Sequence, residues 1–312
     1  MSLALIFPGQ GSQAVGMGRA VYDAFAESRA VFDEVDSALG EKLSTVIFEG
    51  PEPTLTLTAN AQPALMAVSI AVLRAMEARG FDLKASATYV AGHSLGEYSA
   101  LAAAGALSVG ETAKLLRIRG EAMQQAVPAG EGAMAAILGL DHEAVAAVCA
   151  EATQPGEACE LANDNGGGQI VVSGAAAAVT RAMAIALEKG AKRAIPLTVS
   201  APFHCSLMQP AAERMREALD AADLRRPVVP VVANVLARPI DDPAEIKQRL
   251  VEQVTGQVRW RESVEFMASS GIDTLLEIGS GKVLAGLVKR IDKTVKTQSI
   301  GTPADIDAWQ AL

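Results

Sequence analysis

A serine in a glycine-flanked turn is the feature of this sequence best suited to covalent chemistry. Residues 92–96, Gly-His-Ser-Leu-Gly, fit the pattern GxSxG between a short apolar strand segment and a helical one. A serine at such a turn projects from the sheet, and the flanking glycines leave room for the tight backbone. The helix start also offers free N–H groups, so the Leu95 amide can donate to a developing oxyanion. The motif predicts Ser94 as a nucleophile, with an ordinary turn serine as the alternative.

A serine nucleophile needs a general base, and the chain offers three histidines. His93 adjoins Ser94 and is expected to point away from it. His142 opens a predicted helix, where a solvated N-terminal residue is the simpler interpretation. His204 lies in a loop at which an inserted unit is expected to return to the main domain, and domain junctions favour active sites. We predict His204 as the base, with a structural loop histidine as the alternative.

Arg119 lies within an apolar helical face. With a period of 3.6 residues it shares that face with apolar residues such as Met123, while charged and polar residues occupy the other side. A buried guanidinium is unfavourable unless it meets an anion, and it can bind a carboxylate through two parallel hydrogen bonds. Three interpretations stay open: a substrate carboxylate, a buried ion pair, or a side chain whose head reaches solvent.

The segments around these residues predict an α/β fold. Strands are expected at 3–7, 88–91 and 274–278, and long helices at 17–39, 62–79 and 109–127, the last with a capping box at Ser108 and Glu111. Two glycine-containing loops, at 163–168 and 279–281, are predicted as turns first and as binding loops second.

Between residues 129 and 199 the predicted order changes to βαββαβ, which is typical of a ferredoxin-like unit. We therefore predict two domains. A large, hydrolase-like α/β domain with a short, mainly parallel sheet is formed by residues 1–128 and 200–312. The smaller ferredoxin-like domain is inserted at 129–199.

The composition is that of a folded protein. Of 312 residues, 50% are apolar and 20% charged, and no stretch has the bias of a disordered tail. The net charge is −9 with scattered Lys and Arg, so nucleic acid and anionic membranes are poor candidate partners. The most apolar helix candidate, at 64–76, is too short to span a bilayer. The N-terminus has no basic leader, so we expect no secretory signal.

The cysteines and histidines predict neither a zinc site nor a disulfide framework. There are three of each, and the cysteines lack CxxC spacing. Reduced thiols and a cytoplasmic location are expected.

Taken together, four stretches resemble the malonyl-CoA:acyl carrier protein transacylase family, the stand-alone relatives of acyltransferase domains in fatty-acid and polyketide synthases. They are residues 8–13 (Pro-Gly-Gln-Gly-Ser-Gln), residues 92–97 (Gly-His-Ser-Leu-Gly-Glu), Arg119 in Ile-Arg-Gly, and Pro202-Phe203-His204. The similarity runs over nearly the whole chain, and the combination is more specific than any one motif.

The resemblance implies that Ser94 takes the malonyl group of malonyl-CoA and passes it to the thiol of acyl carrier protein, in fatty-acid biosynthesis or, as the alternative, in a polyketide-type system. No bound cofactor or metal is implied, and a monomer is expected. His204 would be the base, oriented by the backbone carbonyl of Gln253 instead of a carboxylate. The amides of Gln10 and Leu95 would form the oxyanion hole.

Substrate contacts also follow from the resemblance. Arg119 would hold the malonyl carboxylate, and Phe203 would narrow the pocket toward malonyl over methylmalonyl. Further substrate-binding positions are assigned to Gln62, Asn165, His93 and Met123.

Two other functions stay open. A serine esterase or thioesterase of the α/β-hydrolase type shares GxSxG, but usually has its histidine late in the chain and a glycine-rich oxyanion loop before the serine. A non-catalytic scaffold that binds carrier protein is the other, although retention of Ser94, His204 and Arg119 together argues against it.

Overall fold

The strands of the computed structural model, which describes residues 2–310, form two separate sheets. They are β1 (Leu3–Phe7), β2 (Ala87–Gly92), β3 (Gly132–Leu138), β4 (Cys159–Asp164), β5 (Gln169–Ala175), β6 (Arg193–Pro196), β7 (Val231–Ala233), β8 (Arg238–Ile240), β9 (Thr274–Ile278) and β10 (Lys296–Ile300). The first sheet has the order β10-β9-β1-β2-β7-β8, and the second has the order β4-β5-β3-β6.

Helices cover the first sheet and one face of the second. They are α1 (Arg19–Ala24), α2 (Ala26–Leu39), α3 (Leu43–Glu49), α4 (Glu52–Thr56), α5 (Thr58–Ala78), α6 (Leu83–Ser86), α7 (Gly96–Ala103), α8 (Val109–Gln125), α9 (His142–Ala152), α10 (Ala176–Glu188), α11 (Gln209–Ala221), α12 (Pro243–Thr255), α13 (Trp260–Ser269), α14 (Val283–Ile291) and α15 (Pro303–Gln310), with a 3₁₀ turn at Ser206–Met208.

The first sheet is parallel except at its β8 edge. Strands β1 and β9 are buried along their whole length, as expected for parallel strands covered by helices on both faces. Phe7 and Gly92 are register partners at the ends of β1 and β2. The loops that follow these two strands therefore lie side by side at the carboxyl edge of the sheet, where such folds bind ligands.

The second sheet is entirely antiparallel and belongs to the predicted βαββαβ series. Its order is the 4-1-3-2 arrangement of a ferredoxin-like unit, with an apolar core of its own that includes Ile137, Val145 and Val172. The predicted α/β fold with a mainly parallel sheet is confirmed. The division at residues 128/129 and 199/200 stays our proposal.

Several predicted elements differ in detail. The helix expected at 17–39 is two helices, because Phe25 adopts an extended conformation between them. The helix expected from residue 62 begins at Thr58 and contains Pro63. Strands β7, β8 and β10 were not predicted, since two of them have only three residues and β10 is a partly exposed edge strand with a polar sequence.

The capping box was half right. The Ser108 hydroxyl accepts a hydrogen bond from the Glu111 amide (3.1 Å), as expected at a helix N-terminus. The Glu111 carboxylate instead accepts from the amide of Asp223 (2.8 Å). Glu111 therefore binds a loop that is distant in the chain to α8, and it does not accept the hydrogen bond from the Ser108 backbone amide that a capping box would have.

Candidate active site

Ser94 occupies a sharp turn between β2 and α7. Its φ angle is 53°, in the left-handed region that non-glycine residues rarely adopt. A Cβ on Gly92 would lie 2.0 Å from the carbonyl of Gly96, and one on Gly96 would lie 2.2 Å from the Phe7 carbonyl oxygen. Both glycines are therefore required by backbone contacts, and the turn they permit lifts the serine above the sheet.

His204 faces the serine hydroxyl. Its Nε2 lies 2.8 Å from Ser94 Oγ, and its Nδ1 lies 2.9 Å from the carbonyl oxygen of Gln253 and 3.1 Å from that of Gly256. Because carbonyls only accept, Nδ1 carries the proton and Nε2 is free to accept one from Ser94. Burial, followed by the charge of Arg119, lowers the pKa of His204 to about 3. The imidazole is therefore neutral and in the tautomer of a general base.

Arg119 extends from α8 to the same hydroxyl and is 1% exposed. It donates from Nη1 to Gln62 Oε1 (2.8 Å) and from Nη2 to Gln253 Oε1 (2.8 Å) and Ser94 Oγ (3.1 Å). All three partners are uncharged, and within residues 2–310 no carboxylate pairs with it. The Nε–H is buried without an acceptor among those residues. Among the described residues the positive charge of Arg119 is therefore balanced by no carboxylate in direct contact, which leaves it able to pair with an anion.

Close packing of α8 against α5 places Arg119 in the site. A Cβ on Gly120 would lie 2.6 Å from the Cα of Ala59, so α8 rests directly against α5. The guanidinium carbon lies 5.7 Å from the centre of the Tyr98 ring, within range of a cation–π interaction. Burial lowers the pKa of Arg119, but an arginine starts so high that it keeps its charge.

Two backbone amides beside the serine are unoccupied. Within residues 2–310 the amides of Gln10 and Leu95 donate to no protein acceptor, whereas the Ser94 amide donates to Asn234 Oδ1 (2.8 Å). Leu95 caps the N-terminus of α7, and the Gln10 side chain is fixed by its bond to Thr58 Oγ1 (3.2 Å). These amides are the available donors for an oxyanion at this edge of the sheet.

The groups converge on a cavity of about 300 Å³ between the two sheets. The predicted site residues that line it are Gln10, Gln62, His93, Ser94, Arg119, Met123, Phe203 and His204. Leu95 and Gln253 are buried behind this lining. The rest of the lining comes from the ferredoxin-like unit, with Met134, Asn163 and residues 197–199, and from Gly11, Gln13 and Thr56 of the large domain.

Asn165 lies behind His93, and its predicted role in substrate binding stays a prediction. It is not among the lining residues, because its Oδ1 accepts from His93 Nε2 (2.9 Å), and Asn163 lines the cavity instead. His93 therefore lines the cavity, and its imidazole ring is held in place by the hydrogen bond to Asn165. Burial lowers the pKa of His93, so this second imidazole is neutral as well.

The alternative histidine, His142, and the loop at 279–281 lie outside this cavity. His142 lines a separate groove with Asp164 and Arg261, which form an ion pair at 2.9 Å. Ser280 in the loop 279–281 donates to the carbonyl of Ser12 (2.6 Å), so this loop ties two strand ends together. Within residues 2–310 no cluster of His, Cys, Asp and Glu is arranged to hold a metal ion, and no helix is long and apolar enough to cross a membrane.

Sequence reasoning missed two buried polar residues behind the serine. Asn234 donates from its side-chain Nδ2 to the carbonyl of Gly92 (2.7 Å), and its backbone N–H donates to Glu97 Oε2 (3.1 Å). Asn234 directly follows β7, and a polar residue after a buried strand at this sheet edge is the signal that could have found it. Glu97 follows the GxSxG motif directly, but nothing in the sequence shows that its carboxylate is buried.

Comparison with known proteins gives one consistent result. The family described as acyl transferase domain matches residues 4–306. A malonyl CoA-acyl carrier protein transacylase of Bacillus subtilis is 50% identical over 305 residues, which are 98% of this chain and 95% of that protein.

Solved structures agree with this match. An acyl-carrier-protein-S-malonyltransferase from Bartonella henselae superimposes with a TM-score of 0.97 at 56% identity, covering 100% of this chain and 99% of the other. A malonyl-transacylase solved in complex with a type II PKS acyl-carrier protein has a TM-score of 0.95 at 41% identity, covering 99% of this chain and 98% of the other.

Proposed function

The chain belongs to the acyl transferase family and transfers malonyl groups from malonyl-CoA to acyl carrier protein, and we propose that it does so through an ester on Ser94. One observation carries this mechanism. Ser94 Oγ lies 2.8 Å from His204 Nε2 and 3.1 Å from Arg119 Nη2. A single hydroxyl therefore meets a base and a carboxylate-binding cation.

In the first half-reaction the Ser94 hydroxyl attacks the thioester carbonyl while His204 Nε2 takes its proton. The resulting oxyanion is bound by the amides of Gln10 and Leu95, each donor contributing about 3 kcal/mol in related chemistry. The C–S bond then breaks, and the coenzyme A thiolate takes the proton from His204. The product is a malonyl ester of Ser94 with a neutral imidazole beside it.

The Gln253 and Gly256 carbonyls play the part that a carboxylate has in a triad. Their bonds to Nδ1 keep Nε2 pointed at the serine and stabilise the imidazolium that forms during transfer. An acidic third member, usual in α/β-hydrolases, does not contact His204 within the described residues. This supports acyl transfer by a Ser–His pair over the esterase alternative.

Arg119 holds the malonyl carboxylate. Its neutral partners leave the positive charge unbalanced by direct contact, so a dicarboxylic acyl group gains an ion pair that an acetyl group cannot form. Phe203 and Met123 line the space beside it, where Phe203 restricts branched acyl groups.

In the second half-reaction the phosphopantetheine thiol of acyl carrier protein takes the place of coenzyme A. His204 accepts its proton, the thiolate attacks the ester carbonyl, and Ser94 leaves with that proton. Ping-pong kinetics are expected because the two thiols use one site in turn.

The setting of the reaction is also a proposal. Ser94, His204 and Arg119 come from one chain, which supports a monomer as the working unit. The three cysteines carry no disulfide, which supports a reducing cytoplasm. The mechanism needs no bound cofactor.

The test is to incubate the protein separately with malonyl-CoA, acetyl-CoA and methylmalonyl-CoA and to read the covalent adduct by intact mass. Malonyl-CoA should give the fastest adduct, and added holo acyl carrier protein should remove it faster than water does. An adduct lost to water at the same rate would favour the thioesterase alternative. Absence of any adduct would favour the scaffold.

A further inference from the structure

The side chain of Gln253 connects two buried charges that do not touch each other. Its Nε2 donates to Glu97 Oε2 (2.8 Å) and to the carbonyl oxygen of Ser94 (3.0 Å). Its Oε1 accepts from Arg119 Nη2 (2.8 Å). Gln253 is fully buried, so water does not compete for these bonds.

These partners permit one orientation of the amide. The Ser94 carbonyl only accepts, an ionised Glu97 only accepts, and Arg119 only donates. A reversed amide would set its NH₂ against the guanidinium and its oxygen against the carboxylate. The charge of Glu97 therefore acts together with the Ser94 carbonyl to fix which end of Gln253 faces Arg119.

We propose that Glu97 is a positioning residue for the substrate carboxylate, joined to Arg119 through the Gln253 amide as a bridged ion pair. This inference rests on the proposed function, since it assigns a role in binding the malonyl group. The carboxylate balances the buried guanidinium from a distance, while the amide oxygen fixes the direction of the guanidinium.

A spacer has an advantage over direct contact. A carboxylate placed directly against Arg119 would occupy the donors that the substrate needs. Here the guanidinium donates to the neutral amide oxygens of Gln62 and Gln253 in place of a carboxylate. The backbone amide of Asn234 donates to Glu97 Oε2 (3.1 Å), the same oxygen that accepts from Gln253 Nε2. This bond holds the carboxylate away from Arg119.

The carboxylate is held at some expense in free energy. Burial raises the pKa of Glu97 to about 7, against the opposing effects of Gln253, Asn234 and the charge of Arg119. The titratable groups that face Glu97 are Arg119 and Tyr98, and Arg119 in turn faces His204. Measurements of the bridge therefore belong well above neutral pH, where Glu97 is ionised.

The test compares rates of Ser94 acylation by malonyl-CoA and acetyl-CoA in Glu97→Gln. This variant keeps the shape but loses the charge that helps to order the Gln253 amide. We expect kcat/KM for malonyl-CoA to fall roughly 10- to 100-fold, mostly through KM, because a hydrogen bond to a charged group is lost from the Arg119 support. The fall for acetyl-CoA should be much smaller, so the malonyl-to-acetyl ratio drops.

A second buried glutamate supplies the control. Glu277 accepts from the amides of Leu284 (3.0 Å) and Ala285 (2.9 Å) at the start of α14, outside the cavity lining. Glu277→Gln should lower stability and leave the malonyl-to-acetyl ratio at the wild-type value. If Glu97→Gln does not fold, Gln253→Met removes the bridge and keeps the backbone carbonyl on His204, and the same drop in ratio is expected.

The dependence on Arg119 distinguishes the bridge from a general structural role. In an Arg119→Ala background the effect of Glu97→Gln on the ratio should disappear. Equal losses for both substrates, or an effect that persists without Arg119, would overturn the bridge. If wild-type protein forms no malonyl adduct, the proposed function fails instead, so the two failures are distinguishable.

Discussion

The cavity has two walls of different character. The wall from the parallel-sheet side carries Ser94, Arg119 and Gln62 in a continuous hydrogen-bonded network with Gln253 behind them. The wall from the ferredoxin-like unit consists of Met134, Asn163 and residues 197–199. Reactive groups are thus held on one side, while the other side shapes the space.

The difference follows from how each sheet is built. The parallel sheet ends several strands at one edge, and polar groups that follow those strands meet there and satisfy each other. The antiparallel sheet buries its own apolar core with α9 and α10, which leaves its edge free to cover a neighbouring cavity. A direct polar bond between the large domain and the ferredoxin-like unit joins His93, in the first wall, to Asn165, behind the second (2.9 Å).

The largest effect is expected when the reactive group is removed from the first wall. Ser94→Ala should abolish the malonyl adduct and lower transfer by about 10⁴-fold or more, because the attacking oxygen is gone. Intact mass after incubation with malonyl-CoA measures this. Ser99→Ala, five positions along the same turn and helix, is the matched control and should still form the adduct. An adduct on Ser94→Ala would remove this residue from the mechanism.

Loss of the cation should change selectivity more than chemistry. Arg119→Ala should lower malonyl transfer roughly 100-fold relative to acetyl transfer, because a buried pair between charges is lost. Arg117→Ala on the same helix is the control, since Arg117 bonds Asn60 (2.6 Å) and pairs with Glu41 away from the cavity lining. Competition between the two acyl-CoA substrates measures the ratio. A strong malonyl preference retained by Arg119→Ala would show that another residue reads the carboxylate.

The burial of the first wall should be visible as a pH dependence of stability. The pKa of His204 is lowered from 6.5 to about 3, so the unfolded chain takes up a proton in that interval and the folded chain does not. The stability that a neutral His204 contributes is complete above pH 6.5 and is lost as pH falls toward 3. Relative to His204→Gln, the wild type should lose up to about 1.4 kcal/mol of unfolding free energy per pH unit.

Urea unfolding of both proteins at a series of pH values measures this difference. Parallel curves for the wild type and His204→Gln would contradict the depressed pKa of His204. They would also contradict the burial of the His204 imidazole as the cause of its lowered pKa.

The smallest effect is expected at the link between the walls. Asn165→Ala removes the acceptor of His93 and should lower the unfolding free energy by about 1 kcal/mol, with a modest rise in KM and little change in kcat. Asn60→Ala also breaks side-chain hydrogen bonds, but at the start of α5, and should leave KM unchanged. Thermal unfolding and steady-state kinetics measure both quantities. A large loss of kcat in Asn165→Ala would mean that the second wall takes part in the chemistry.

Local sequence was sufficient for the elements whose causes are local. Short stretches of sequence determine the glycine turn at Ser94, the Ser108 cap of α8 and the βαββαβ order, because turn geometry and hydrophobic period depend on near neighbours. The split helix at Phe25 and the strands β7, β8 and β10 escaped prediction, since their short or polar segments are held by neighbours distant in the chain.

The sequence by itself determined the kinds of group in the site: a turn serine at 94, a junction histidine at 204 and an arginine on an apolar helix face at 119. It left open whether that arginine meets a substrate, an internal acid or solvent. The tertiary structure narrows these alternatives, because it buries Arg119 between two neutral amides and keeps Glu97 one side chain away, and substrate binding by Arg119 stays our proposal. Such an arrangement depends on distances among α5, α7, α8 and α12, and side-chain burial between distant helices leaves no periodic signal along the chain.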